Sequence, residues 1–136
     1  MENEAKLAGK LHAEGNSCAE AVVKACNESM NLNLSADAIR MSSGLGGGIG
    51  GAGCVCGALN GASMILGVIA GRTTVEEKGK PEIYKITREF QQRFVEHYGS
   101  SCCRVLKSPE LKVSCDDLVM GTASMVADYI KEKGLK

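Results

Sequence analysis

Tryptophan is absent and aromatic residues make up only 4% of the chain, so the core has to be built from Ala, Val, Ile, Leu, Met and Cys. There is no excess charge of either sign: Lys plus Arg and Asp plus Glu are equal at 16 each. Bulk electrostatics therefore draw nothing toward nucleic acid. No apolar run follows Met1; Glu2, Glu4 and Lys6 stand there instead. A secretory signal needs such a run behind a basic start, and the expected location is the cytoplasm. C-x-x-C is missing, and with it C-x-x-C-H, which argues against thioredoxin-like chemistry and haem attachment. No stretch alternates with period two between hairpin turns, so strands are not expected. Charge is missing between Arg40 and Arg72, but the firmly apolar part, about 54–70, is short for a bilayer and carries Asn60. A membrane span is not expected.

What is present suits one domain covering residues 1–136. Residues 2–14 form a polar helix with a weak stripe of Ala5, Leu7, Ala8 and Leu11. Ser17-Cys18-Ala19-Glu20 has the S-x-x-E form of a capping box, and Ala21, Val22, Ala25 and Cys26 make an apolar helical face behind it. Asn27 to Asn33 reads as helix end and turn, and Ser35 starts a short helix that dies at Ser42-Ser43-Gly44. A long buried helix is expected from Val55 to Ala70 and a charged connector over 72–80. Pro81 then opens a helix on which Ile83, Ile86, Phe90, Phe94 and Tyr98 recur at three- and four-residue spacing. Ser108-Pro109-Glu110 resembles a fresh helix start, and Ser114 caps a last helix carrying Leu118, Met125, Val126 and Ile130. The pattern predicts an all-α bundle of five or six helices around a central apolar glycine-rich helix.

Residues 44–61, GLGGGIGGAGCVCGALNG, are dense in glycine. Gly46 to Gly51 and Gly48 to Gly53 both fit G-x-G-x-x-G, but a helix-like segment precedes them where a dinucleotide site needs a strand. No Lys-Ser/Thr follows for a P-loop. The narrower expectation is a flexible backbone whose free N–H groups could meet an anion.

Seven cysteines are many for 136 residues: Cys18, Cys26, Cys54, Cys56, Cys102, Cys103 and Cys115. An odd count without a signal peptide argues against an extracellular disulfide framework. In a reducing compartment thiol enrichment points to catalytic thiols or metal ligation; the plainer reading is a small buried hydrophobe. Four of them share a setting. Cys18 and Cys115 follow capping serines, Cys103 follows Ser101 where a short helix could begin, and Cys56 stands at the start of the apolar helix. Unpaired N–H groups and the helix dipole there favour a thiolate. His12 reads as a surface residue and His97 as a cation at a helix end, and Phe90, Phe94 and the methionines read as packing.

Cys56-Gly57-Ala58-Leu59-Asn60-Gly61 matches C-G-A-x-x-G, and with the spaced cysteines the chain resembles the redox-active C_GCAxxG_C_C family over nearly its whole length. Asn16 to Val22 is similar to the family's first cysteine element, Cys103-Arg104-Val105-Leu106 to its C-R-x-L element, and Cys115 to its last cysteine. Cys26, Cys54 and Cys102 stand outside this pattern. The resemblance implies thiol redox activity carried by Cys18, Cys56, Cys103 and Cys115, with Cys56 or Cys18 attacking and another of the four resolving. It also implies association with transport systems. A redox partner and a second copy of the chain are the candidate partners, and no cofactor is needed. The alternatives are a zinc ion or iron–sulfur cluster held by the same four sulfurs, and an interaction module in which the cysteines only pack.

Overall fold

The computed structural model describes residues 2–77 and 80–135. All regular elements among them are helical: α1 (Glu2–Ala13), α2 (Cys18–Met30), α3 (Ala36–Arg40), a 3-10 turn (Ser43–Leu45), α4 (Gly57–Ala70), α5 (Lys80–Tyr98), α6 (Cys103–Leu106) and α7 (Cys115–Glu132). The all-α expectation therefore holds. Of the expected connector 72–80, Lys78 and Gly79 lie outside the described residues.

The local signals work as their chemistry predicts. Ser17 Oγ accepts from the Glu20 N–H at 3.3 Å, and Glu20 Oε1 accepts from the Ser17 N–H at 2.9 Å, closing the capping box of α2. Ser35 caps α3 by accepting from Ala38, and Ser114 caps α7 by accepting from Asp117, both at 3.1 Å. Helix α2 runs one turn beyond Asn27, because the Asn27 side chain accepts the Leu34 N–H and so satisfies the turn from within the helix. Asn31, left-handed at φ 53°, ends it. Ser108-Pro109-Glu110 starts no helix. It folds as a turn, with the Leu111 and Lys112 N–H groups bonded back to the Ser108 carbonyl and Lys112 left-handed at φ 51°.

One apolar cluster joins the elements. Val22, Ala25 and Cys26 of α2, Ile65 and Leu66 of α4, Phe90 and Phe94 of α5, and Val119 and Val126 of α7 are all buried in it. Ile83, Ile86 and Tyr98 flank the two phenylalanines as the α5 stripe predicts. Helix α4 packs on α2, α5 and α7, while α2 and α7 also pack on each other and on α1. The middle of the bundle is thus shared among α2, α4 and α7. The last turn of α4 emerges from it, with Val68 half exposed. No helix among the described residues is long and apolar enough to cross a membrane.

Candidate functional site

The glycine run is a coil wound the opposite way from a helix. Gly47, Gly48, Ile49, Gly50 and Gly51 all have positive φ, between 59° and 80°. Glycine occupies four of those five positions because it alone enters that region freely. The coil is closed by its own backbone: N–H groups of Ile49, Gly50, Gly51, Gly53 and Cys54 bond to carbonyls of Leu45, Gly44, Gly46, Gly47 and Gly48. The sequence suggested a flexible segment with N–H groups free for an anion. These five donors are used within the coil itself, so the segment is internally bonded where the sequence suggested a flexible one.

The coil delivers Cys56 to the N-cap of α4. The motif's two glycines then face α2. A Cβ on Gly61 would stand 2.8 Å from the Ala19 carbonyl oxygen, and one on Gly57 would collide with the Cys18 sulfur. The space beside Cys56 therefore belongs to Cys18. Gly46 is constrained in the same way, since its Cβ would stand 2.7 Å from that of Ser17. Cys18 is the first residue of α2, Cys103 of α6 and Cys115 of α7, so all four sulfurs sit at helix starts.

Electrostatic coupling ties these starts together. Cys56 feels the charge of Cys18 and Cys103, and Cys103 feels that of Cys18 and Cys115. Cys26, buried in the core, takes no part in this set. Burial outweighs the helix start at two positions. It pushes the Cys56 thiol up to about 11, although the N–H groups of Leu59 and Ala58 near its sulfur pull the other way. Burial also raises Cys103, against the opposing charge of Lys107. The expectation that a helix start favours the thiolate is thus overturned at Cys56 and Cys103. Cys18 and Cys115 are half-buried.

The model of the family described as "Putative redox-active protein (C_GCAxxG_C_C)" matches residues 16–129. The chain belongs to this family. No curated protein and no solved structure matches it.

The C_GCAxxG_C_C pattern left two features unread. The first is Lys107, at the end of α6, whose ammonium donates to the Cys115 sulfur and lies within electrostatic range of Cys103 and Cys18; its own pKa is raised, first by that bond. Only its distance in sequence from Cys115 hid it. Replacing Lys107 by Met removes a charge that favours the Cys103 thiolate, so alkylation of Cys103 at pH 8 should slow about two- to five-fold. That is the factor a solvent-exposed charge worth up to about 1 kcal/mol supplies. Lys107→Arg should restore the rate. Residue-resolved mass spectrometry reads both.

The second is a disulfide between Cys54 and Cys102, two cysteines outside the family pattern. It lies across a seam in which the Cys56 N–H donates to the Ser101 carbonyl at 2.7 Å and the Arg104 N–H to the Gly53 carbonyl at 3.0 Å. The sequence held a signal for it: Cys54 lies two residues from Cys56 and Cys102 directly precedes Cys103, so bringing one pair of segments together brings the other.

For the metal alternative, the chemistry asks for three or four ligands converging on one point. Among the described residues no group of three or more His, Cys, Asp or Glu is placed to hold a metal ion. The zinc or iron–sulfur reading at Cys18, Cys56, Cys103 and Cys115 thus finds no ligand set in this arrangement. His12 reaches across to the first turn of α7 and pairs with Asp116 at 2.5 Å, and His97 stacks edge-on against Tyr98.

Proposed function

We propose that this protein is a cytoplasmic thiol–disulfide redox protein whose working groups are Cys18, Cys56, Cys103 and Cys115. The observation that carries the reading is that four helix starts, distant in sequence, share one electrostatic neighbourhood with a lysine, while Cys26 stands apart. Cys18 suits the attacking role because it is half-buried and its sulfur rests on the α4 start beside Cys56. Cys56 is buried and suits the resolving role. The Cys18 thiolate attacks a partner disulfide, forming a mixed disulfide and releasing one partner thiolate, which takes up a proton. The Cys56 thiol loses its proton and attacks the Cys18 sulfur of that mixed disulfide, which releases the second partner thiolate. Two electrons leave the protein, the partner disulfide is reduced, and Cys18 and Cys56 end as a disulfide. Cys103 and Cys115, with Lys107 between them, form a second couple.

Glutathione disulfide is the simplest test substrate. The Cys56→Ser protein should accumulate a stable glutathione adduct on Cys18, because nothing resolves it. Cys18→Ser should form none, and Cys26→Ser should behave as wild type. The reading fails if wild-type protein loses no thiol, or if Cys26→Ser behaves like Cys56→Ser.

A further inference from the structure

The Cys54–Cys102 bond lies directly outside the proposed thiol site. Its two cysteines are half-buried, whereas the adjacent Cys56 and Cys103 are buried. A thiol approaching this seam therefore meets the disulfide before it meets either inner sulfur. The bond is not what brings the segments together, since two backbone hydrogen bonds already hold the seam. Nor is it a substitute for a core, because the apolar cluster spans α2, α4, α5 and α7. Arg104 is exposed, and its aliphatic stem packs over Gly53, the residue before Cys54. In a cytoplasmic protein a disulfide is usually transient and catalytic or sensing.

We propose that Cys54–Cys102 is a further, exchangeable redox couple, the outer one, through which an external dithiol exchanges electrons with the protein. The inference rests on the thiol redox reading for its inner couple, but the exchange at Cys54–Cys102 stands or falls on its own measurement. A thiolate of the dithiol attacks one sulfur of the bond. The Cys54–Cys102 bond breaks, a mixed disulfide forms, and the other cysteine leaves as a thiolate and is protonated. The dithiol's second thiolate then attacks the mixed disulfide and frees the second cysteine. Two electrons and two protons have moved from the dithiol to Cys54 and Cys102, and the dithiol departs as a cyclic disulfide. The reduced outer pair can pass the same two electrons inward: it reduces an inner disulfide to two thiols and is itself reoxidised to Cys54–Cys102.

Dithiothreitol serves as the probe. Full-length protein, first oxidised with glutathione disulfide, is treated with it under native conditions, quenched by alkylation at intervals and mapped by mass spectrometry, with circular dichroism recorded alongside. Cys54–Cys102 should open while the helical signal is unchanged. The inner disulfides should be reduced at least tenfold more slowly in Cys54→Ala/Cys102→Ala than in wild type. A bond that opens only as the protein unfolds is a structural staple and overturns the proposal. Equal inner-pair rates in wild type and the double variant overturn it as well. If the double variant does not fold, opening of the bond in native wild type decides alone. If no inner disulfide forms at all, the proposed function falls, and native opening of Cys54–Cys102 still upholds the outer couple.

Discussion

Gly48→Ala is expected to lower stability by about 2–4 kcal/mol, seen as a large drop in the denaturant midpoint. Two costs add there. Gly48 has φ 75°, a region that charges an alanine roughly 1 kcal/mol. Its new Cβ would also collide with the Cys54 backbone nitrogen and stand 2.7 Å from the Gly53 carbonyl carbon. Backbone cannot rotate out of the way as a side chain does, and overpacking of this kind typically costs about 1–3 kcal/mol. Gly50→Ala and Gly51→Ala make the control. Both positions have positive φ, at 60° and 80°, but nothing lies within 4 Å of the added atom. They should lose only about 1 kcal/mol, the backbone share alone. Because the Gly48 contact falls on Cys54, Gly48→Ala should also slow formation of the Cys54–Cys102 bond, which the two controls should leave unchanged.

The protein should also lose stability steeply as pH rises above about 9. Burial pushes Cys26 up to about 12 and Cys56 up to about 11 from an ordinary value of 9.0. The folded state therefore keeps these protons while the unfolded state sheds them. Where the folded form holds more protons, stability falls with rising pH. The contribution is fully present below the unfolded value and is lost as pH climbs through the window from about 9 to about 12. Each unit of difference corresponds to roughly 1.4 kcal/mol, so Cys26 contributes on the order of 4 kcal/mol and Cys56 on the order of 3 kcal/mol. Thermal melts across this range should show the fall, and Cys26→Ala and Cys56→Ala should each flatten part of it. A melting temperature that does not change up to pH 11 would show that neither thiol is shielded as the structure places it.

Much of the fold is legible in short-range chemistry. The Ser17–Glu20 box, the caps at Ser35 and Ser114 and the Phe90/Phe94 stripe each depend on neighbours within four residues, and each forms as written. The same locality explains why the four helix-start cysteines could be named in advance. Features that depend on who packs against whom could not be read this way. Glycine richness announces freedom at 47–51 but not that five successive residues will turn left-handed and close the coil with backbone hydrogen bonds. Nothing in the motif says that Gly57 is glycine because α2 places the Cys18 sulfur over it. The helix start at Cys56 reads as acidifying until burial is known to be larger. Ser108-Pro109-Glu110 carries a helix-start composition, yet the left-handed Lys112 turns the chain away before a helix can grow.

The central claim is that Cys18 and Cys56 act on one another, and non-reducing peptide mapping of the native protein after oxidation by glutathione disulfide tests it most directly. The account predicts a cross-linked peptide pair joining Cys18 to Cys56 within one chain, with Cys26 still free. Cys18 and Cys56 both recovered as free thiols, or each linked only to another chain, would contradict it.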